Sequence, residues 1–182
     1  MASLAEEMRS HWGAERMRRA QTVLVEGLLI PQSSKDFLTQ VGLPPEEIGC
    51  IEFELNGPVF ATAREEARRR KLPDFPRSER FKLLGRGGHA PDFYLVDDPH
   101  GTVVEIDLDP LKVRFVNSRV EHLGAFLLAY VKSSIRENMS DEENAACVRK
   151  IRAELVKIDP EAFSNPDYWW SQVFKQMEDG LL

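Results

Sequence analysis

Residues 81–131 constrain the fold more than any other stretch of the chain. Phe81 to Leu84 is an apolar run that meets Gly85, Asp92 to Val96 and Thr102 to Leu108 alternate with period two, and Val113 to Val116 ends at Asn117-Ser118. Alternation of that kind is the signature of strands, because successive side chains point to opposite faces. After Ser118 the period changes. Val120, Leu123, Phe126, Leu127, Tyr130 and Val131 recur at helical spacing, with Ser118 and Glu121 placed as a capping pair. The order is a meander feeding one central helix. It predicts an α+β fold: a single domain, a twisted and mainly antiparallel β-sheet with helices packed against it.

The flanking segments add helices to that plan. At 182 residues the chain is long enough to bury a core without disulfides or metals, so residues 1–182 are read as one domain. Ser3 with Glu6 makes a capping box for an N-terminal helix over 3–19, and Val23 to Leu29 is apolar enough for a strand or buried edge. Ser33 and Asp36 start a short helix through Phe37, Leu38 and Val41, which Gly42 stops before Pro44 and Pro45. Ile51 to Leu55 alternates as a strand and Asn56-Gly57 is a turn. Thr62 to Lys71 has helix formers but almost no apolar stripe, so an exposed helix and a mobile loop both fit it. Ser140 with Glu143 opens a further helix that turns Val148, Ile151 and Leu155 inward, and Asn165-Pro166 is placed as the cap of the last one. There Trp169 and Trp170 are adjacent, so their rings diverge by about 100° and both are buried only if that helix packs on two sides. An exposed one would anchor a partner, which makes Trp170 a candidate contact.

Charge and chemistry point to recognition. The formal net charge of −6 argues against direct binding of nucleic acid, which needs a basic face. Positive residues do cluster, in Arg16 to Arg19 and in Arg64 to Lys71, and such runs are ordinarily solvated helix faces. Asp97, Asp98, Glu105, Asp107 and Asp109 lie on consecutive strands or their turns. Glu105, Asp107 and Asp109 share one parity while Val104, Ile106 and Leu108 have the other, so the acids form either a candidate partner-binding patch or the ordinary polar side of a half-exposed sheet. Gly85-Arg86-Gly87-Gly88-His89 is glycine-rich but lacks the spacing of a phosphate-binding loop, and His89 with Asp92 lacks a third partner for acid–base work. His11, His100 and His122 form no metal-binding pair, and Cys50 and Cys147 have no zinc or redox spacing. The expectation is a protein without catalysis, cofactor or metal. No apolar run reaches the roughly 20 residues that span a bilayer, and the first residues, with Glu6 and Glu7, do not read as a leader, so no membrane partner and a cytoplasmic location are expected.

Three stretches carry a resemblance: Ile30-Pro31 to Gly42-Leu43-Pro44; Leu83-Leu84-Gly85 with Gly101-Thr102-Val103; and Phe115-Val116-Asn117-Ser118 before the helix with Leu123 and Phe126. Asp159-Pro160 and Trp169-Trp170 to Gly180 extend it. In their order and spacing these resemble the SUKH superfamily of bacterial immunity proteins, most closely its fourth family. The segment 57–80 departs from the compact pattern as an insertion. The resemblance implies an immunity protein that binds and neutralises the toxin domain of a polymorphic-toxin system, where family members face diverse toxins, many of them nucleases or nucleic-acid deaminases. The alternative within the superfamily is an intracellular scaffold or regulatory module that uses the same sheet surface. An enzyme acting on a nucleotide at Gly85 to His89 is the third reading.

Overall fold

The computed structural model describes residues 2–48, 51–55, 60–71, 77–87, 92–107, 112–133 and 140–179. Five strands, β1 (Ile51–Phe53), β2 (Phe81–Gly87), β3 (Asp92–Asp97), β4 (Val103–Asp107) and β5 (Lys112–Asn117), form one antiparallel sheet in the order β1-β2-β3-β4-β5. Every strand neighbours its successor in the chain; the predicted meander supplies β2 to β5, and the strand expected at 51–55 adds β1 beside β2. The helices are α1 (Leu4–Trp12), α2 (Thr22–Glu26), α3 (Gln32–Asp36), which runs on as a π-helical turn over Phe37–Val41, α4 (Ala63–Arg69), α5 (Val120–Lys132), α6 (Asp141–Ile158) and α7 (Trp169–Glu178). The α+β architecture matches the expectation from the alternating runs.

Alternation along the strands sorts two cores. Tyr94, Val96, Val103 and Val116 belong to the large one, shared with α1, α5, α6 and α7, whereas Phe81, Leu83, Phe93, Leu95, Val104 and Ile106 make a second, smaller one that Ala63 of α4 joins. The sheet is thus covered on both sides. A half-exposed sheet does not describe it, because α4 shields the face opposite the main helices. Alternation sends consecutive leucines to opposite layers, Leu83 to the small core and Leu84 to the large one, and the bulge between Leu83 and Gly85 shifts the register so that Gly85 pairs with Tyr94. Next to the bulge β1 lies so close that a Cβ on Gly85 would stand 2.5 Å from the Glu52 carbonyl oxygen.

The helices follow their local signals with informative exceptions. Ser3 caps α1 through its box with Glu6, and Thr62 and Ser140 do the same for α4 and α6 with Glu65 and Glu143. The N-terminal helix stops at Gly13, at φ 87°, well short of residue 19, and Arg18 then bridges Leu43. Residues 23–29 are not a strand: Thr22–Glu26 is a short helix that buries Val25 and leaves Val23 71% exposed, with Leu29 beyond it 73% exposed. Gly42, at φ 88°, ends the 32–41 helical segment as expected. Thr62 to Lys71 is a helix whose inner face is Ala63, Glu66 and Ala67, spaced i, i+3, i+4. Asn165 does not cap α7 directly; its Oδ1 accepts from Asp167 N–H at 2.9 Å and turns the chain toward Tyr168, the residue before the helix.

α7 packs on two sides, which is why both tryptophans are buried. Trp169 meets the sheet through Tyr94, with ring centroids 5.7 Å apart, and Trp170 meets α5 through Phe126 at 5.1 Å. Phe163 and Phe174 complete this aromatic layer. The test of the two-layer sheet is Gly85→Ala. The methyl group has to push β1 off β2, so an overpacking loss of about 1–3 kcal/mol is expected, read as a lower urea midpoint with an unchanged folded spectrum.

Candidate partner-binding surface

Folding β3 and β4 about the 98–101 turn places Asp92 opposite Asp107, Tyr94 opposite Glu105 and Val96 opposite Val103. β5 then brings Arg114 opposite Glu105. One end of the sheet therefore collects three carboxylates on one face around a single guanidinium: Arg114 Nε lies 3.0 Å from Glu105 and its Nη2 donates to Asp107 at 2.8 Å. Glu105 is 2% exposed. Burial raises its pKa to about 7, with Asp92 and Asp107 pushing the same way and Arg114 and Lys112 opposing. Asp92 is raised as well, by burial and then by Asp107, against Arg114. Three carboxylates thus face two cations, Arg114 and Lys112, so the cluster keeps an excess of negative charge when all three are ionised.

The other expected acids are elsewhere. Asp97 and Asp98 sit at the far end of the same hairpin, five residues or about 17 Å along β3 from Asp92. Asp97 is 5% exposed and pairs with Arg80, with His100 Nδ1 at 3.4 Å. Asp98 accepts from Leu29 N–H at 2.6 Å, which ties the turn to the segment before α3. These two hold the hairpin to its surroundings and do not extend the cluster. Asp109 lies outside the described residues. Trp170 is 2% exposed and its Nε1 donates to Asn117 at 3.0 Å, so it is a core residue and not a rim anchor. Asp92, considered in the sequence only as a companion for His89, is the acid that register adds. Its signal was the pairing of the two alternating runs across the 98–101 turn.

The groups with chemical potential are engaged otherwise. Asn117 and Ser118 do not cap α5. Their side chains donate to Asp159 at 3.1 and 2.7 Å, the Ser118 N–H donates to it at 2.8 Å, and His122 Nδ1 lies 3.4 Å away. Burial alone would raise the pKa of Asp159, but donation from His122, Ser118 and Asn117 outweighs it and brings the value down to about 2. The carboxylate stands between serine and histidine, so Ser118 has an acceptor but no base, the reverse of a nucleophilic triad. A groove of about 590 Å³ between α1, α5 and α6 has Ala125, Leu128, Ile151 and Cys147 in its wall, and the Glu7–Lys132 pair at 2.7 Å beside them. No group of three or more His, Cys, Asp or Glu residues suited to a metal ion occurs among the described residues. Among them too, no helix is long and apolar enough to cross a membrane. His89 and Cys50 lie outside the described residues.

A family model described as SUKH-4 immunity protein matches residues 3–176. No curated protein and no solved structure matches the chain.

Two pH experiments read the buried carboxylates separately. The pKa of Asp159 is lower folded than unfolded, so its stabilisation is present above about pH 4 and is lost as pH falls toward 2; Asp159→Asn should flatten that acid limb in urea melts and lower stability at pH 7. Glu105 has the opposite sign. Its folded pKa is raised, so stability is greatest below the unfolded value and falls as pH rises through about 7. Glu105→Gln should remove that decline, giving urea midpoints at pH 5 and pH 8 closer together than in the parent.

Proposed function

The chain belongs to the SUKH-4 immunity protein family, and from that footing we propose that it captures one cognate toxin domain and silences it by covering its active site, without turnover. The observation that carries the choice of surface is the sheet end where Asp92 stands opposite Asp107, beside the Arg114 that pairs with Glu105 and Asp107. A lysine or arginine of the partner brought there supplies the missing countercharge. It also stabilises the ionised form of Glu105, whose burial otherwise opposes ionisation near neutral pH. Charge complementarity of this kind raises the encounter rate and rejects acidic partners.

The surface suits a toxin whose own substrate is anionic. A nuclease or nucleic-acid deaminase presents basic side chains around its active site to hold phosphates, and an acidic sheet end competes for the same groups. The net charge of −6 works in the same direction over longer range. In this reading the protein acts in the bacterial cytoplasm, as the guard of a polymorphic-toxin system, against a toxin encoded beside it.

The test is co-expression with the adjacent toxin domain. Co-purification at a fixed ratio and loss of toxin activity are expected, and the double variant Asp92→Asn/Asp107→Asn should bind about tenfold more weakly in surface plasmon resonance, chiefly through slower association. A well-folded chain that neither co-purifies with nor protects against any neighbouring toxin would sink the proposal.

A further inference from the structure

The opposite face of the same sheet end is basic. Alternation along β3 turns Phe93 away from Asp92 and into the small core, where two guanidiniums close on its ring: Arg70 at 4.8 Å and Arg86 at 5.6 Å from the centroid. Arg86 is fixed by charge, donating to Glu54 and to Glu66 at 2.7 Å each. Glu66 is buried and also accepts from Arg69 at 2.6 Å, so its two oxygens hold two arginines in place. Arg70 is different. It is exposed, it lies over the ring, and it makes no ion pair with any described residue.

Lys71 follows Arg70 just past the end of α4, and Arg77 begins the turn that packs beside the helix; neither has an acidic partner among the described residues. Of the five cations Arg69, Arg70, Lys71, Arg77 and Arg86, the nearby Glu54, Glu65 and Glu66 offset three. The helix dipole accounts for cations in the last turn of α4. It does not account for Lys71 and Arg77, which stand in left-handed backbone at φ 58° and 63°, where glycine or asparagine carries less strain. Long cationic side chains occupy two positions whose backbone favours short ones.

We propose that this face is a second docking surface, for an acidic segment of a partner protein, with a carboxylate seated against the Arg70 guanidinium. The guanidinium fork matches a carboxylate in a bidentate way, and Arg86, Arg69 and Glu66 form a rigid floor beneath it. A short acidic peptide fits better than a nucleic acid. A long polyanion laid across this end would come within about a Debye length, ~8 Å, of the Asp92, Glu105 and Asp107 cluster on the other side of the strands, and would feel the overall charge of −6. The surface stands independently of toxin capture, since it uses none of the residues assigned to that role.

The experiment uses the full chain and a fluorescein-labelled octa-glutamate peptide, read by anisotropy at low salt, with a labelled oligothymidine of equal charge as the competing class. Saturable peptide binding is expected, weaker binding of the oligothymidine, and at least a tenfold loss in Arg70→Ala/Lys71→Ala/Arg77→Ala. Arg16→Ala/Arg19→Ala/Lys150→Ala removes the same net charge from other exposed positions and should bind as the parent does. Arg70→Lys keeps the charge without the fork and should lose several-fold, which serves as the readout should the triple variant unfold. No saturable peptide binding, an equal loss in the charge-matched control, parental binding by Arg70→Lys, or tighter binding of the oligothymidine would each overturn the proposal. Toxin co-purification leaves these residues unaltered, so the two readings fail separately.

Discussion

The Asp159 carboxylate holds the rest of the molecule in register. It ends α6, yet it gathers donors from the β5–α5 junction, Ser118 through backbone and side chain and Asn117 through its amide, with His122 Nδ1 of the first turn of α5 3.4 Å away. Asn117 passes the connection on, since its oxygen accepts the Trp170 indole N–H. A buried charge with this many donors keeps its ionised form at neutral pH, and removing it would leave three polar groups without partners in a dry interior. The sheet edge, the central helix and the aromatic layer of α7 therefore meet at one anion. Trp170 and Phe126 pack directly against this junction.

Covering the sheet on both faces determines where the charges go. With the main helices on one side and α4 on the other, the buried Glu105 of β4 has no open solvent beside it and must find a cation or take up a proton. Glu105 is partway between these outcomes: burial raises its pKa, with Asp92 and Asp107 adding to it, even though Arg114 pairs with it and with Asp107. Asp97, by contrast, meets Arg80 at the hairpin turn, with His100 beside it. Three acids facing Arg114 and Lys112 leave an excess of negative charge at this sheet end.

The meander, the central helix and the capping boxes were legible because they rest on short-range rules: period-two alternation over 92–108, helical spacing over 120–131, and Ser or Thr three residues before Glu. What sequence reasoning missed depends on groups distant in the chain. Asn117-Ser118 has the local look of a helix cap, but its acceptor lies more than forty residues on. Val23 to Leu29 is a short apolar run of the kind that periodicity cannot divide between strand and helix. The α4 segment looked faceless because its inner side is two alanines and a glutamate, and only the arginines that cover Glu66 make that side a packing surface. The candidate site was half visible. Glu105 and Asp107 were found by parity, whereas Asp92 needed the strand register, and Asp97, Asp98 and Trp170 were drawn off by partners that parity does not show.

The alternation of β3 has a consequence for how anything approaches this protein. Asp92 and Phe93 are neighbours in the chain, yet one faces the carboxylates and the other lies beneath the arginines, so opposite potentials are separated by little more than the thickness of a pleated backbone. Such a sorted edge exerts a torque as well as an attraction. A molecule that carries both signs of charge is rotated into alignment while still a few ångströms away, and one that carries a single sign is drawn by one side and turned back by the other.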